Sequence, residues 1–176
     1  MTKRIQVTFN DEEYSLIKGK WLDSHFIEVP INIAIQLTEQ VLNDNLSDFS
    51  NEDLEGFLMG FKDQGLTTKA LEIADILYDR YAQANDTYKL RWLMPIKTSL
   101  FRISKSPQKA IEFYTLQIEK LGNSVNSPQL LTSIAAAYCD LRDYANAKQV
   151  CDRAFAWSGW SYELGAVYER IKREAE

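Results

Sequence analysis

The sequence predicts a mainly α protein, an array of helical hairpins preceded by one short β-strand and two helices. Three observations carry that prediction. Apolar residues recur at helical spacing over most of the chain, the small alanines that open these stripes return every 36–40 residues, and only one segment alternates with a period of two. The 176 residues are 45% hydrophobic and 26% charged, with seven Gly and four Pro, so the composition is that of a folded globular chain rather than a disordered or collagen-like one. That length suffices for a sizeable core.

The alternating segment comes first. In residues 3–9, Ile5, Val7 and Phe9 fall on one side and Arg4, Gln6 and Thr8 on the other, as in a half-buried strand. Asn10 is placed as an N-cap, with Asp11, Glu12 and Glu13 in the first turn and Glu13 positioned to complete a capping box. Helices are expected over about 11–24 and 29–43.

A repeat follows. Ala34, Ala70, Ala110 and Ala147 each open an apolar stripe, continued as Ala70, Ala74, Leu77; Ala110, Tyr114, Gln117; and Ala147, Cys151, Ala154. Nine residues before each alanine stands a ring, His25, Phe61, Phe101 or Tyr138. Such a period belongs to stacked helix-turn-helix units, each covering the apolar face of the next. The units are expected at about 51–84, 88–122 and 127–159. Residues 160–176, WSYELGAVYERIKREAE, have the charged outer face that the end of such an array needs.

The last full unit, SPQLLTSIAAAYCDLRDYANAKQVCDRAFAWSG, resembles a tetratricopeptide repeat, with Leu131, Ile134, Ala135, Tyr138, Tyr144, Ala147 and Ala154 at that family's packing positions. The resemblance covers about 50–176 and implies a right-handed α-solenoid whose first helices line a concave, partner-binding face. Carried onto this chain, that face comprises Glu55, Met59 and Lys62, then Trp92, Ser99 and Arg102, then Thr132, Ser133, Ala136 and Asp140. Met59 and Trp92 are the expected anchors, because buried aromatic and flexible apolar side chains concentrate interface energy; Trp92 is equally well placed as core between repeats. The Lys and Asn set with which chaperone-binding members hold a C-terminal carboxylate is not matched.

Residues 1–45, with KRIQVTFNDEEYSLIKGKW, resemble a ribbon-helix-helix DNA-binding domain. The resemblance implies a homodimer whose two strands pair and enter the major groove of double-stranded DNA. Arg4, Gln6 and Thr8 would then face base edges and Lys3 a phosphate. A strand also needs a partner for its backbone, and this is the only such segment. Against this, Glu28 and Pro30 stand where that family clamps phosphate with backbone N–H groups, and residues 1–45 hold four bases against seven acids. The other reading makes 11–43 a first, degenerate repeat, with Trp21, Leu22 and Ala34 packing on the next unit, and the whole chain an adaptor without nucleic acid.

Catalytic and cofactor chemistry is not indicated. The single histidine, His25, has only Asp23 at ligand spacing, and Ser and Cys nucleophiles lack a base in their own unit. No metal or cofactor is expected, and the chain is read as a non-enzyme. Gly56 and Gly60 in GFLMG are placed on a helix, where small residues would permit close packing. Cys139 and Cys151 are expected as buried core thiols, and Trp157 and Trp160, bracketing Gly159, as the seal of the array. The longest uncharged run, Leu121 to Cys139, contains three Asn or Gln and three Ser, which would be costly in lipid. The N-terminus turns acidic where a leader peptide needs apolar residues. No membrane association and a cytoplasmic protein are therefore expected.

Overall fold

The structure, a computed structural model, describes residues 45–175. The strand at 3–9, with Lys3, Arg4, Gln6 and Thr8, and the helices expected over 11–43 lie outside the described residues. The chain divides at Leu54 and Glu55, and Glu55–Glu176 forms one compact unit.

Among the described residues there are seven α-helices and no strand: α1 (Asn51–Asp63), α2 (Thr67–Gln83), α3 (Thr87–Ile103), α4 (Pro107–Leu121), α5 (Pro128–Asp140), α6 (Tyr144–Ser158) and α7 (Tyr162–Glu174). A 3-10 turn at Leu46–Asp48 precedes them, and another, Gly122–Val125, joins α4 to α5. The pairs α1/α2, α3/α4 and α5/α6 are the three hairpins, and α7 closes the array.

Side-chain caps mark where four of the helices begin. Asp86 accepts from the Lys89 N–H at 3.0 Å, Ser127 from Leu130 at 3.1 Å, Asp143 from Asn146 at 3.1 Å and Ser161 from Leu164 at 3.2 Å. Each satisfies one N–H that the helix leaves without a carbonyl. Helices α4 and α5 also start on proline, whose fixed φ suits the first turn and whose missing N–H costs nothing there. Tight turns link the helices, and four of them use a left-handed residue: Gly65, Asn85, Lys105 and Arg142, with φ of 74°, 52°, 58° and 61°.

Packing follows the stripes. Ala70, Ala74 and Leu77 of α2, Ala110 and Gln117 of α4, and Ala147, Cys151 and Ala154 of α6 are all buried, while Tyr114 is half-buried. Alanine at the opening of each stripe lets the second helix of a hairpin lie close to the first. Helix α3 packs on α2, α4 and α5, and α5 packs on α3, α4, α6 and α7, so the first helices of the last two hairpins touch one another as well as their own partners. Leu90, Leu93, Met94, Leu130, Leu131 and Ile134 fill the interior between them.

Gly56 and Gly60 stand on α1 as expected, and among the described residues a Cβ built on either would meet nothing within 4 Å. A close approach among the described residues is at Gly165, where a Cβ would stand 3.0 Å from the Trp160 ring. Trp160 covers that glycine and stacks on Tyr168 with ring centroids 5.5 Å apart, although 63% of its surface stays exposed. Trp157, 50% exposed, lies under the Arg91 guanidinium. Cys139 and Cys151 are buried free thiols.

Candidate functional site

Helices α3, α5 and α7 lie side by side and leave a groove of about 450 Å³ between them. Its lining is supplied by Pro95, Ser99 and Arg102 of α3, by Gln129, Thr132, Ser133 and Ala136 of α5, and by Tyr162, Glu163, Ala166, Val167 and Arg170 of α7. The helical period explains the selection: Ser99 and Arg102 are three apart, as are Ser133 and Ala136, and Glu163, Ala166 and Arg170 follow at three and four. Small side chains on neighbouring helices, Ala136 and Ala166, with Val167 and Pro95, give an apolar surface, and hydroxyls stand beside it.

Pro95 lies in the middle of α3. It has no N–H for the carbonyl one turn earlier, so the helix ladder lacks one bond at the groove. Thr98, wholly buried, sits 3.0 Å from the Pro95 carbonyl and shares a hydrogen bond of 2.9 Å with the Ser133 hydroxyl. That contact fixes the spacing of α3 and α5. Thr132 donates to the Pro128 carbonyl at 2.8 Å, an i−4 bond within its own helix.

The groove ends on an ion cluster. Arg102 Nε donates to Asp140 Oδ2 at 2.8 Å, and Arg170 Nη1 donates to Asp140 Oδ1. Arg170 also donates to the Cys139 carbonyl at 3.2 Å and, through Nε, to Glu174 at 2.9 Å. One carboxylate on α5 thus joins α3 to α7. Hydrogen bonds to Asp140 and then Glu174 push the Arg170 pKa up, and those from Arg170 and Arg173 hold the Glu174 carboxyl below the usual range.

Of the ten positions expected on the partner-binding face, Ser99, Arg102, Thr132, Ser133 and Ala136 line this groove, and Asp140 closes it by holding both arginines. The other four stand elsewhere. Glu55 binds Lys89 Nζ with both oxygens, at 2.7 and 2.8 Å, and accepts from the Tyr81 hydroxyl. Burial, followed by the bond to Glu55, keeps that phenol protonated by raising its pKa. Lys62 is 3.6 Å from Asp63, Met59 is half-buried on α1, and Trp92, also half-buried, has Lys89 Nζ 5.8 Å from its ring centroid. All four are thus placed around α1 and the start of α3, outside the groove.

Compared with protein-family models, with curated proteins and with solved structures, the chain has no match. Its site is therefore read from its own geometry.

The last helix supplies what the sequence reading missed. Tyr162, Glu163, Ala166, Val167 and Arg170 lie in the expected terminal cap, and the i, i+4, i+8 spacing of 162, 166 and 170 is the sequence signal that they share a face. A second cluster was also missed. Lys97 of α3 is 6% exposed, its ammonium 2.6 Å from Asp75 of α2 and 4.8 and 4.6 Å from the ring centroids of Tyr78 and Phe113. This cage lies among α2, α3 and α4, and Tyr78 further donates to Gln117. Among the described residues no group of three or more His, Cys, Asp or Glu is placed to hold a metal, and no helix is long and apolar enough to cross a membrane.

Proposed function

We propose that the chain is a tetratricopeptide-like interaction scaffold that holds a segment of another protein in the groove between α3, α5 and α7. The observation that supports this reading is the groove itself: the first helices α3 and α5 and the closing helix α7 present small apolar side chains with hydroxyl and amide groups beside them along one channel. Ala136, Ala166 and Val167 suit an apolar side chain. Ser99, Ser133 and Gln129 suit the N–H and C=O groups of a peptide. The arginine–aspartate cluster keeps the three helices in register, so the channel exists before the ligand arrives and little ordering cost attends binding.

The test uses the full chain. A random peptide library is panned against it, and the selected peptides are measured against Ala166→Trp, which fills the groove from an exposed position. Binding that is lost in that variant supports the reading; binding that is indifferent to it places the ligand elsewhere and refutes it.

A second reading concerns residues 1–45. The alternation of Arg4, Gln6 and Thr8 with Ile5, Val7 and Phe9 favours a dimeric, ribbon-type DNA-binding head, which would make the protein a regulator or accessory factor with a partner-binding body. Light scattering then finds a homodimer, and duplex DNA binds in a salt-sensitive manner that Arg4→Ala with Gln6→Ala abolishes. A monomer indifferent to DNA leaves the scaffold reading alone.

A further inference from the structure

Arg102 stands between two hollows. It lines the groove and also an adjoining space of about 500 Å³ bounded by Ile103, Lys105, Pro107 and Asp140. Its Nε is held by Asp140 at 2.8 Å, whereas its two terminal nitrogens make no hydrogen bond to any described residue. A guanidinium fastened at its inner nitrogen presents its outer N–H pair in a fixed direction, the geometry suited to bidentate recognition of a planar anion. Lys105, three residues on and exposed, has no ion pair among the described residues. The carboxylate that lines the second hollow, Asp140, already accepts from both Arg102 and Arg170. This corner, the second hollow with Arg102 and Lys105 against Asp140, therefore has one positive charge in excess on a chain whose net charge is -5, while Glu174 is taken up by Arg170 and Glu163 stands on the α7 side of the groove.

We propose that the corner is the specificity element of the groove and binds the carboxylate of an Asp or Glu side chain in the partner segment. The carboxylate sits on the outer edge of Arg102 with Lys105 beside it, and a neighbouring apolar side chain of the same segment rests on Ala136 and Val167. A carboxylate is favoured over a phosphate because Asp140 stands in the same hollow and would repel a dianion more strongly than a monoanion. The proposal rests on the peptide-groove reading and adds the chemical class of its ligand.

The test takes the peptides selected on the full chain and measures their affinity by fluorescence anisotropy. The selected sequences are expected to carry an Asp or Glu beside an apolar residue. Changing that acid to its amide weakens binding roughly tenfold, as does Arg102→Gln, and the two changes together are no worse than either alone. Lys105→Gln, in an exposed turn and so without consequence for folding, weakens the same peptides less, and high salt weakens them all. Selected peptides without an acid overturn the proposal. So does an acid-to-amide effect of equal size in wild type and Arg102→Gln, or tighter binding when phosphoserine replaces the acid. If peptides are sensitive to Ala166→Trp but not to Arg102→Gln, the groove reading stands and this one falls; if none is sensitive to Ala166→Trp, both fall.

Discussion

Lys97 on α3 is buried and its ammonium lies 2.6 Å from the carboxylate of Asp75 on α2, whose own side chain is 63% exposed. The pair is lopsided: the cation sits between two aromatic rings, and its counter-charge reaches it from the surface. Removing Asp75 leaves a charge in a site built to hold one, whereas removing Lys97 leaves aromatic surface. Asp75→Asn is expected to destabilise by about 1–2 kcal/mol, the lower part of the range for such pairs because the carboxylate is solvated, while Lys97→Met costs less. Urea unfolding of the two variants gives the comparison, and the reverse order contradicts this account of the cage.

Asp140 is the joint between three helices. Asp140→Ala would bring Arg102 and Arg170 together without a common acceptor, and a loss of roughly 2 kcal/mol is expected. Loosening should begin at α7, whose Arg170 depends on that carboxylate. Amide hydrogen exchange checks it: residues of α7 are expected to exchange faster in the variant, with α2 unchanged.

The turn residues offer a gain. Arg142 has φ of 61°, a conformation that costs a side chain bearing a Cβ on the order of 1 kcal/mol and costs glycine much less. Arg142→Gly is therefore expected to raise stability by roughly 0.5–1 kcal/mol, read as a higher urea midpoint. Gly65→Ala, at φ of 74°, is expected to lower it by a similar amount.

The alkaline limit of stability follows from the buried thiols. Burial is the main cause that pushes Cys151 up to about 12 from 9.0, and it raises Cys139 as well. Between those two values the folded chain keeps a proton that the unfolded chain has released, so stability falls as pH rises above about 9, by up to about 1.4 kcal/mol per pH unit for one such group. Tyr78, Tyr81, Tyr138 and Tyr168, also raised chiefly by burial, act in the same direction at higher pH. Cys151→Ala is expected to flatten the slope between pH 9 and 12, as measured by denaturant titrations across that range. An unchanged slope contradicts this assignment.

Much of the helical body was legible because it is written in local terms. The repeat units expected at about 51–84, 88–122 and 127–159 coincide closely with the three helix pairs, because the alanine stripes act over single helices. Five of the twelve groove residues, Ser99, Arg102, Thr132, Ser133 and Ala136, stood on the face that the repeat resemblance implies. The rest depends on contacts between distant residues. Arg102 and Asp140 are 38 positions apart, and Asp140 and Arg170 are 30 apart, so no window along the chain connects them. Nothing in the type of Lys97 marks it as buried; only its neighbours Leu93, Met94 and Leu100, all core, place it on that side of α3.

The central claim, that the groove between α3, α5 and α7 holds a partner segment, is tested most directly by mapping amide chemical shifts of the 15N-labelled full chain as a selected peptide is added. The largest shifts are predicted at Ser99, Arg102, Ser133, Ala136 and Ala166, with little change on α2 and α4. Shifts concentrated instead around the exposed rings of Phe155, Trp157 and Trp160, or spread evenly over the chain, would contradict it.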